Sequence, residues 1–326
     1  MNVLVTGANG LLGHHVVMEL KKRDLGIKII VRSIKNIHFD LEGIEVITGS
    51  FTNYENLRTA AEGCGAIIHI AAATALDYSQ YSDYESININ ATKQLLEIAS
   101  ELNINTIVYI STANTIGYGT KKRFANENNE IQSPFSSSFY AKSKLVTEKL
   151  FQSHAKDKHM VIINPTFMVG SYDTKPSSGK LLLMGFGRRL MFIPGGGKNF
   201  VAVKDVAVAC CNALTMGVSG ERYLAAGTNL SFKKFYKIQS KVGRYHQKII
   251  KIPDFLLLIL AFFGDIISFF KIKTSLTTTN LKQLMIKEYY NNTKVRKELQ
   301  MPVTPIDQAI EEAIIWFKQH HMIKQK

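Results

Sequence analysis

The sequence predicts an α/β fold: a doubly wound parallel sheet followed by a smaller, mostly helical C-terminal lobe. In the first half, short runs rich in β-branched residues alternate with segments whose apolar residues recur at the helical period of 3.6. Those runs are apolar at successive positions, which is typical of strands buried on both faces of a sheet. After about residue 170 the alternation gives way to loops rich in glycine, serine and proline.

The elements follow from this alternation. Strands are expected at six apolar runs, residues 2–7, 27–32, 45–49, 66–72, 106–112 and 160–166. Helices are expected between them, in LLGHHVVMELKKR, YENLRTAAEG, YESININATKQLLEIASEL and YAKSKLVTEKLFQSHA. Later, FVAVKDVAVACCNALT reads as a short strand entering a helix, and ERYLAAG as another strand. We expect a sheet domain over 1–170 and a lobe over 171–326, with part of 200–228 packing back on the sheet domain.

The net positive charge of the chain comes from its second half. Lysine and arginine number 40 against 26 acidic residues, and residues 151–326 hold 26 of the basic and 11 of the acidic ones. This half could face an anionic substrate or a membrane surface, or simply form a solvated lysine-rich surface. The sequence contains no recognised nucleic-acid-binding motif, so we expect no nucleic acid partner.

The cysteines are Cys64, Cys210 and Cys211. Their number and spacing fit neither a disulfide framework nor a metal site, so we expect buried thiols in a reducing compartment and no metal. The opening residues MNVLVTGANG lack the basic start of a signal peptide. A cytoplasmic protein is therefore expected.

One segment, residues 252–273, is unusually apolar. It contains an unbroken apolar run of nine residues, 255–263, which Gly264 and Asp265 interrupt. The run falls short of the roughly 18 residues that a membrane-spanning helix needs. A buried helix, a lid over an apolar substrate and a helix lying on a membrane all fit the pattern. Peripheral membrane contact stays open because lysines flank the segment: Lys248, Lys251, Lys271 and Lys273.

A glycine-rich turn joins the first strand to the first helix. In VLVTGANGLLGHH, Gly7, Gly10 and Gly13 allow a tight turn and a close approach of the backbone to a pyrophosphate. The first N–H groups of the next helix would face the phosphate charge. The position of the glycines at this joint predicts a dinucleotide site, whereas a turn without ligand is the alternative.

In dinucleotide-binding folds, the residues after the second strand distinguish NAD from NADP. The sequence there is IIVRSIKNIHFD, with Arg32 and Lys35 present and no acidic residue before Asp40. An acidic residue would bind the ribose 2′-hydroxyl of NAD, whereas a guanidinium suits the 2′-phosphate of NADP. NADP is therefore favoured, and NAD remains open if Arg32 only projects into solvent.

A tyrosine and a lysine four residues apart open a predicted helix in SSSFYAKSKLVTEKLF. Tyr140 and Lys144 would lie on one helix face. The spacing alone does not identify a proton relay, because Tyr118 and Tyr290 are also followed by a lysine at the same distance.

The chain resembles the extended short-chain dehydrogenase/reductase family, part of the NAD-dependent epimerase/dehydratase superfamily, over nearly its whole length. The matching motifs include TGANGLLG, GAIIHIAAA, NINATKQLLEIA, VYISTANTIG, YAKSK, INPTFMVG and FVAVKDVAVA. The resemblance is greatest to the dihydroflavonol 4-reductase and 3β-hydroxysteroid dehydrogenase branch. It implies a Rossmann fold in which the sheet domain binds the dinucleotide and the lobe binds a small-molecule substrate, in a homodimer or a monomer.

The resemblance selects Tyr140, which lies 28 residues after Thr112 at the end of the fifth strand. It implies that Tyr140 exchanges a proton with the reacting oxygen and that Thr112, or Ser111 if the register is shifted, hydrogen-bonds that oxygen. We expect the Lys144 ammonium to lower the phenol pKa from its usual value near 10, with help from an oxidised nicotinamide. The resemblance gives Lys144 a second role, holding the nicotinamide ribose.

The resemblance also implies a set of cofactor contacts around this relay. Asn90 matches an asparagine of the fourth helix and Pro165 a proline beside the nicotinamide. Ser50 stands where the family often has an acidic residue near the adenine. The remaining predicted contacts are Gly7, Asn9, Gly10, Leu11, Leu12, Gly13, Arg32, Phe51, Ala71, Ala72, Ala73, Ser111, Tyr140 and Lys144.

The two residues after Thr112 limit the types of reaction that the site could catalyse. Dehydratases of the family place an Asp-Glu pair there, whereas this chain has Ala113 and Asn114, which excludes dehydration. The leading hypothesis is an NADP(H)-dependent oxidoreductase that acts on a carbonyl, or the corresponding alcohol, of a rather apolar small molecule. The alternative is a nucleotide-diphosphate-sugar epimerase with tightly bound NAD(P). The apolar segment favours the first reading, because it suits a flat or lipid-like substrate better than a sugar.

Overall fold

The computed structural model describes residues 1–74, 78, 80–176, 178–272 and 274–323. Lys273, one of the lysines predicted to flank the apolar segment, lies outside the described residues. The strands are β1 (Asn2–Thr6), β2 (Gly26–Val31), β3 (Ile44–Thr48), β4 (Ala66–His69), β5 (Thr106–Ile110), β6 (His159–Pro165), β7 (Phe167–Val169), β8 (Leu190–Ile193), β9 (Gly197–Ala202), β10 (Arg222–Ala225), β11 (Thr228–Ser231) and β12 (Lys248–Lys251).

The helices lie between and after these strands. They are α1 (Leu11–Lys21), α2 (Tyr54–Ala61), α3 (Tyr81–Tyr84), α4 (Ala91–Glu101), α5 (Phe139–His154), α6 (Gly179–Gly185), α7 (Val203–Asn212), α8 (Phe232–Val242), α9 (Asp254–Phe269), α10 (Thr278–Met285), α11 (Thr293–Glu298) and α12 (Ile306–Gln319). A π-helical stretch, Glu85–Asn90, joins α3 to α4.

The predicted doubly wound parallel sheet is confirmed. In the described part of the chain seven strands form one sheet, in the order β10-β6-β5-β4-β1-β2-β3, and every neighbouring pair is parallel. The order reverses between β1 and β4, the kind of switch point where parallel sheets bind ligands beyond their carboxyl ends. The predicted strand limits are correct to within three residues.

Helices cover both faces of this sheet, which explains why its strands are apolar at successive positions. Val3 and Val5 pack with α1 and α7, whereas Leu4 between them packs on the opposite face with residues of α2, α4 and α5. Successive side chains of a strand point to opposite faces, so a strand covered on both sides needs apolar residues throughout. All three cysteines are free and buried, two of them in α7.

The second half of the chain contributes to both parts of the molecule. β10 extends the large sheet beside β6, and α7 packs against α1. Around them, β7, β9 and β11 form a small sheet, β8 pairs with β12, and a separate core gathers around Trp316 and Phe317 of α12. The division at residue 170 remains an interpretation of the sequence.

The apolar segment is not part of the core, so the reading of it as a buried helix is wrong. It forms α9, whose residues are all described, and of these Leu257, Ala261 and Gly264 are buried against neighbouring structure. The large apolar side chains on the rest of its surface are exposed. A periodic apolar stripe would have faced the core, but this helix is apolar on nearly every side. Among the described residues, no helix combines the length and apolar character needed to cross a bilayer.

Candidate active site

The predicted site residues come after the ends of different strands, and the parallel sheet brings those ends to one edge. Parallel strands all present their carboxyl ends on the same side. At this edge lie Gly7–Gly13 after β1, Arg32 after β2, Ser50 and Phe51 after β3, Ala71–Ala73 after β4, Ser111 and Thr112 after β5, and Pro165 as the last residue of β6.

The glycine turn at this edge is tightly closed. Gly7 has a φ of +75°, and a Cβ built on it would lie 2.8 Å from the backbone nitrogen of Ala71. A Cβ on Gly13 would lie 2.1 Å from the carbonyl oxygen of Gly7. Gly10 is different, because it has ordinary extended backbone as the N-cap of α1 and a Cβ there would come no closer than 3.3 Å to that oxygen. Gly7 and Gly13 therefore shape the turn, and Gly10 keeps its outer surface open.

The remaining residues of the turn fit a phosphate cradle. Asn9 and Leu11 are half-buried, and Leu12 is buried. Helix geometry leaves the first N–H groups of α1 without partners inside the helix, where they carry the positive end of its dipole. A diphosphate supplies the acceptors and negative charge that such a helix end attracts. The turn thus fits a dinucleotide, with its glycines, its open surface and its helix terminus.

Tyr140 and Thr112 meet at the centre of the edge. Ser138 caps α5 by accepting a hydrogen bond from the Ala141 N–H, which places Tyr140 in the first turn. The Thr112 hydroxyl is placed to donate a hydrogen bond to the phenol oxygen of Tyr140, which acts to lower the pKa of that phenol. The resemblance implied that Thr112, with Ser111 as the substitute, hydrogen-bonds the reacting oxygen. Of these two residues, Thr112 lies beside Tyr140, whereas Ser111 donates to Glu148.

The expected lowering of the Tyr140 pKa is wrong for the protein without cofactor. Burial raises the pKa of Tyr140 to about 12, and the hydrogen bond with Thr112 offsets part of the rise. Burial penalises the phenolate because the charged form loses its hydration. The phenol is therefore held as a proton donor until a positive charge approaches it.

Lys144 is the buried cation of the site. Its ammonium donates a hydrogen bond to the carbonyl of Ile110, at the end of β5, over 2.6 Å. It also lies 4.4 Å from the centre of the Tyr109 ring. Burial lowers the pKa of Lys144 to about 7, while the nearby carboxylate of Glu148 acts to raise it. The ammonium is thus bound to the backbone at the carboxyl end of β5.

Glu148 is a member of the site that the sequence reading missed. Its buried carboxylate accepts hydrogen bonds from Ser111, from Thr115 at 2.6 Å and from Asn164 at 2.6 Å. Arg222 of β10 lies 3.6 Å away as an ion-pair partner. Burial raises the pKa of Glu148, and these partners offset part of the rise. Glu148 thereby ties α5 to the ends of β5 and β6. The sequence contained a sign of this role, because Glu148 lies one helical turn after Lys144 and on the same helix face.

A buried asparagine near this edge is Asn88, whereas the predicted cofactor contact, Asn90, lies on the exposed face of the helix. Asn88 is buried; its side chain accepts from the Ala73 N–H at 2.7 Å and donates to the Ser143 hydroxyl at 3.0 Å. Asn90 is exposed. The sequence held the signal, because Asn90 begins an exposed helical stripe with Lys93, Glu97 and Ser100. Asn88 instead fixes the loop after β4 onto α5.

His69 is held by structural contacts inside the sheet domain. Its ring is buried between the hydroxyls of Thr6, at 2.8 Å, and Thr92, at 3.2 Å. Burial, assisted by the charge of Lys144, lowers the pKa of His69 to about 3. A neutral ring with both nitrogens engaged connects β1, β4 and α4.

The adenosine end of the edge is more open. Arg32 directly follows β2 and is exposed. Ser50 accepts from the N–H of Thr52, and its hydroxyl lies 2.8 Å from the Thr52 hydroxyl. Phe51 packs edge-on near His69. The exposed guanidinium is the charged group that the sequence places where a 2′-phosphate would lie.

The family follows from a comparison with known proteins. Residues 3–226 match the sequence profile of the NAD dependent epimerase/dehydratase family, and this range contains the glycine turn, Thr112, Tyr140 and Lys144. The chain belongs to this family. Family membership makes the protein an NAD(P)-dependent enzyme of the short-chain dehydrogenase/reductase type.

Individual members of the NAD dependent epimerase/dehydratase family match along most of the chain. It is 25% identical to sterol demethylase protein B of Methylococcus capsulatus, over 99% of this chain and 100% of that protein. It is also 25% identical to the decarboxylating sterol-4-alpha-carboxylate 3-dehydrogenase of Dictyostelium discoideum, over 72% of this chain and 74% of the other. The crystal structure of gox2253 superposes with a TM-score of 0.83 at 25% identity, covering 99% of both chains.

Two glycine variants test the dinucleotide cradle of this family member. Gly10→Ala should leave the free energy of unfolding within about 0.5 kcal/mol of wild type, because the backbone already suits alanine. It should nevertheless abolish NADPH binding, because the methyl group would occupy the outer surface of the turn. Gly13→Ala should lower the free energy of unfolding by about 1–3 kcal/mol, because its methyl group collides with the Gly7 carbonyl. Denaturant unfolding and calorimetric titration measure both quantities, and a Gly10→Ala variant that binds NADPH normally would contradict the assignment.

Proposed function

We propose that this protein is an NADP(H)-dependent oxidoreductase that reduces a carbonyl group, or oxidises the corresponding alcohol, of a rather apolar small molecule. The proposal is carried by the placement of the Thr112 side chain beside the Tyr140 phenol, with Lys144 one helical turn further along α5, at the same sheet edge as the glycine cradle. A dinucleotide-binding protein without turnover has no need of a buried lysine one helical turn after this tyrosine.

The proton chemistry follows from this arrangement. A reduced nicotinamide would supply the hydride to the carbonyl carbon. The Thr112 and Tyr140 hydroxyls would hold the carbonyl oxygen by hydrogen bonds, and Tyr140 would give it its phenolic proton as negative charge develops there. The Lys144 ammonium, held by Ile110 and accompanied by Glu148, would stabilise the phenolate that remains. In the reverse direction the phenolate takes the proton of the alcohol.

NADP is proposed over NAD because of Arg32. Its exposed guanidinium follows the second strand, where an NAD-specific site would carry an acidic residue. A guanidinium binds a phosphate group through two parallel charge-assisted hydrogen bonds. Lys35, also exposed and three residues further on, would add positive charge.

An apolar substrate is proposed on two grounds. The two named relatives are described by their action on sterols, which are large apolar ring systems. In this chain the apolar helix α9 packs on α10, and α10 in turn packs against the turn Phe135–Ser137, which leads into Tyr140. The apolar surface of α9 is thus connected through α10 to the turn that leads into Tyr140, and apolar surface near a site favours an apolar substrate.

Tyr140→Phe tests the relay. The variant should lower kcat for NADPH-dependent reduction of apolar cyclic ketones by about 10²- to 10⁴-fold, because it removes the proton donor. Its NADPH affinity should stay near that of wild type. NADPH absorbance follows the first quantity and fluorescence titration the second.

The chain offers a matched control for this experiment. Tyr118 is also followed by a lysine four residues later, but its hydroxyl donates to the Ser133 carbonyl at 3.0 Å. Tyr118→Phe should therefore keep wild-type activity. Equal activity of Tyr140→Phe and wild type would refute the relay. A protein that interconverts nucleotide sugars with tightly bound cofactor and no net NADPH consumption would be the epimerase instead.

Arg32→Ala tests the cofactor choice. Loss of the charge-assisted hydrogen bonds should weaken NADPH binding by roughly 10- to 100-fold and leave NADH binding unchanged. Arg123→Ala removes an exposed arginine from a different loop and should change neither affinity. Equal affinity of the wild-type protein for NADH and NADPH would contradict the proposal. Calorimetric titration with each nucleotide provides the comparison.

A further inference from the structure

The helix α9 presents an apolar surface that the protein itself does not cover. Its exposed side chains include Phe262 and Phe269, which keep 62% and 83% of their area accessible. Further exposed apolar residues extend the surface: Phe255, Leu256, Leu258, Ile259, Leu260, Phe263, Ile266, Ile267, Phe270 and Ile272. Scattered exposed apolar residues are ordinary, but a contiguous helical face of this kind marks an interaction site.

The attachment of α9 to the protein uses only a narrow stripe. Leu257, Ala261 and Gly264 lie on that stripe, and a Cβ on Gly264 would approach the Leu276 carbonyl oxygen to 2.1 Å. Asp265 accepts a hydrogen bond from the Thr278 N–H at 2.9 Å, at the start of α10. These contacts fix α9 with most of its circumference facing outward.

The dimensions of α9 suit a helix that lies on a bilayer. It has sixteen residues and is therefore about 24 Å long, short of the roughly 30 Å hydrocarbon layer that a spanning helix crosses. The strand pair that leads into it also exposes apolar residues, Leu190 and Phe192 of β8 and Ile250 of β12. An apolar helix surface of this size, flanked by basic residues, can enter the boundary between headgroups and acyl chains.

The charge around α9 selects the partner. Residues 244–287 contain seven basic residues and two acidic ones. Of the acidic pair, Asp265 is bound to α10 and Asp254 lies 3.7 Å from the Lys251 ammonium. A second copy of the chain docked by a twofold axis would bring two such basic regions together, which is unfavourable. A partner surface that is both apolar and anionic complements the apolar side chains of α9 and the basic residues around them.

We propose that α9 docks this protein on the surface of a membrane that contains anionic lipids, with its phenylalanine side chains in the headgroup boundary and the flanking lysines on the lipid phosphates. Docking itself is independent of the reaction. If the proposed function holds, docking also brings α10, which packs against the turn leading into Tyr140, close to the layer that dissolves apolar substrates.

Sedimentation with vesicles tests the docking. The full-length protein should sediment with vesicles of equal parts phosphatidylcholine and phosphatidylglycerol, less with phosphatidylcholine alone, and less in high salt because surface charges are then screened. The double variant Phe262→Glu/Phe269→Glu should lower the partition coefficient at least about tenfold, because two apolar anchors become anionic. Lys248→Gln/Lys251→Gln should weaken binding to the mixed vesicles while leaving the weak phosphatidylcholine binding unchanged.

A control variant changes the charge at a surface far from α9 in the sequence. Val218→Glu/Ile315→Glu makes the same charge change at two exposed apolar residues elsewhere and should bind vesicles with an affinity near that of wild type. A wild-type protein that remains in the supernatant, or an α9 variant that sediments like wild type, would overturn the proposal. If the α9 variant instead dissociates a dimer in gel filtration and vesicles have no effect, the patch is an interface between copies. Sedimentation requires no turnover, so its failure is distinct from failure of the proposed reductase activity.

Discussion

The structure of the site depends on one buried lysine. The ammonium of Lys144 donates to the carbonyl at the end of β5, over the Tyr109 ring, and the carboxylate of Glu148 lies within its electrostatic reach. An unpaired charge in a protein interior is strongly unfavourable, so this lysine requires the sheet end and the carboxylate to stay where they are. Because Lys144 and Tyr140 share α5, the same requirement positions the phenol. The proton donor is thus fixed by the packing of a helix on a sheet edge.

The parallel sheet and its glycine turn could be predicted because their physical requirements are local. Strands covered on both faces need continuous apolar runs, and β1, β4 and β5 supply them. A strand that turns directly into a helix needs glycine where a Cβ would collide, as at Gly7 and Gly13. These requirements leave a direct trace in the residue types. Thr112 lies at the end of such a strand, but its proposed role was implied by the family resemblance and not by these local requirements.

Other features depend on what surrounds a residue in space. An apolar run such as 255–263 fits a core, a lid and a membrane surface equally well, and the choice depends on neighbours far away in sequence. The position of Asn88 depends on the helix face, which the exposed stripe through Asn90 would have revealed. The sign of the pKa shift at Tyr140 depends on a balance between burial and nearby charge. The four-residue spacing from Lys144 does not reveal that its ammonium binds the Ile110 carbonyl.

The phenol provides the most direct test of the account. Ultraviolet difference titration of wild type against Tyr140→Phe isolates the ionisation of this one tyrosine, first alone and then with saturating NADP⁺. We expect a pKa near 12 in the free protein. On addition of NADP⁺ it should fall by at least about two pKa units, because a cationic ring beside the phenol favours its ionised form. A pKa that stays near 12 with NADP⁺ bound would contradict the central claim.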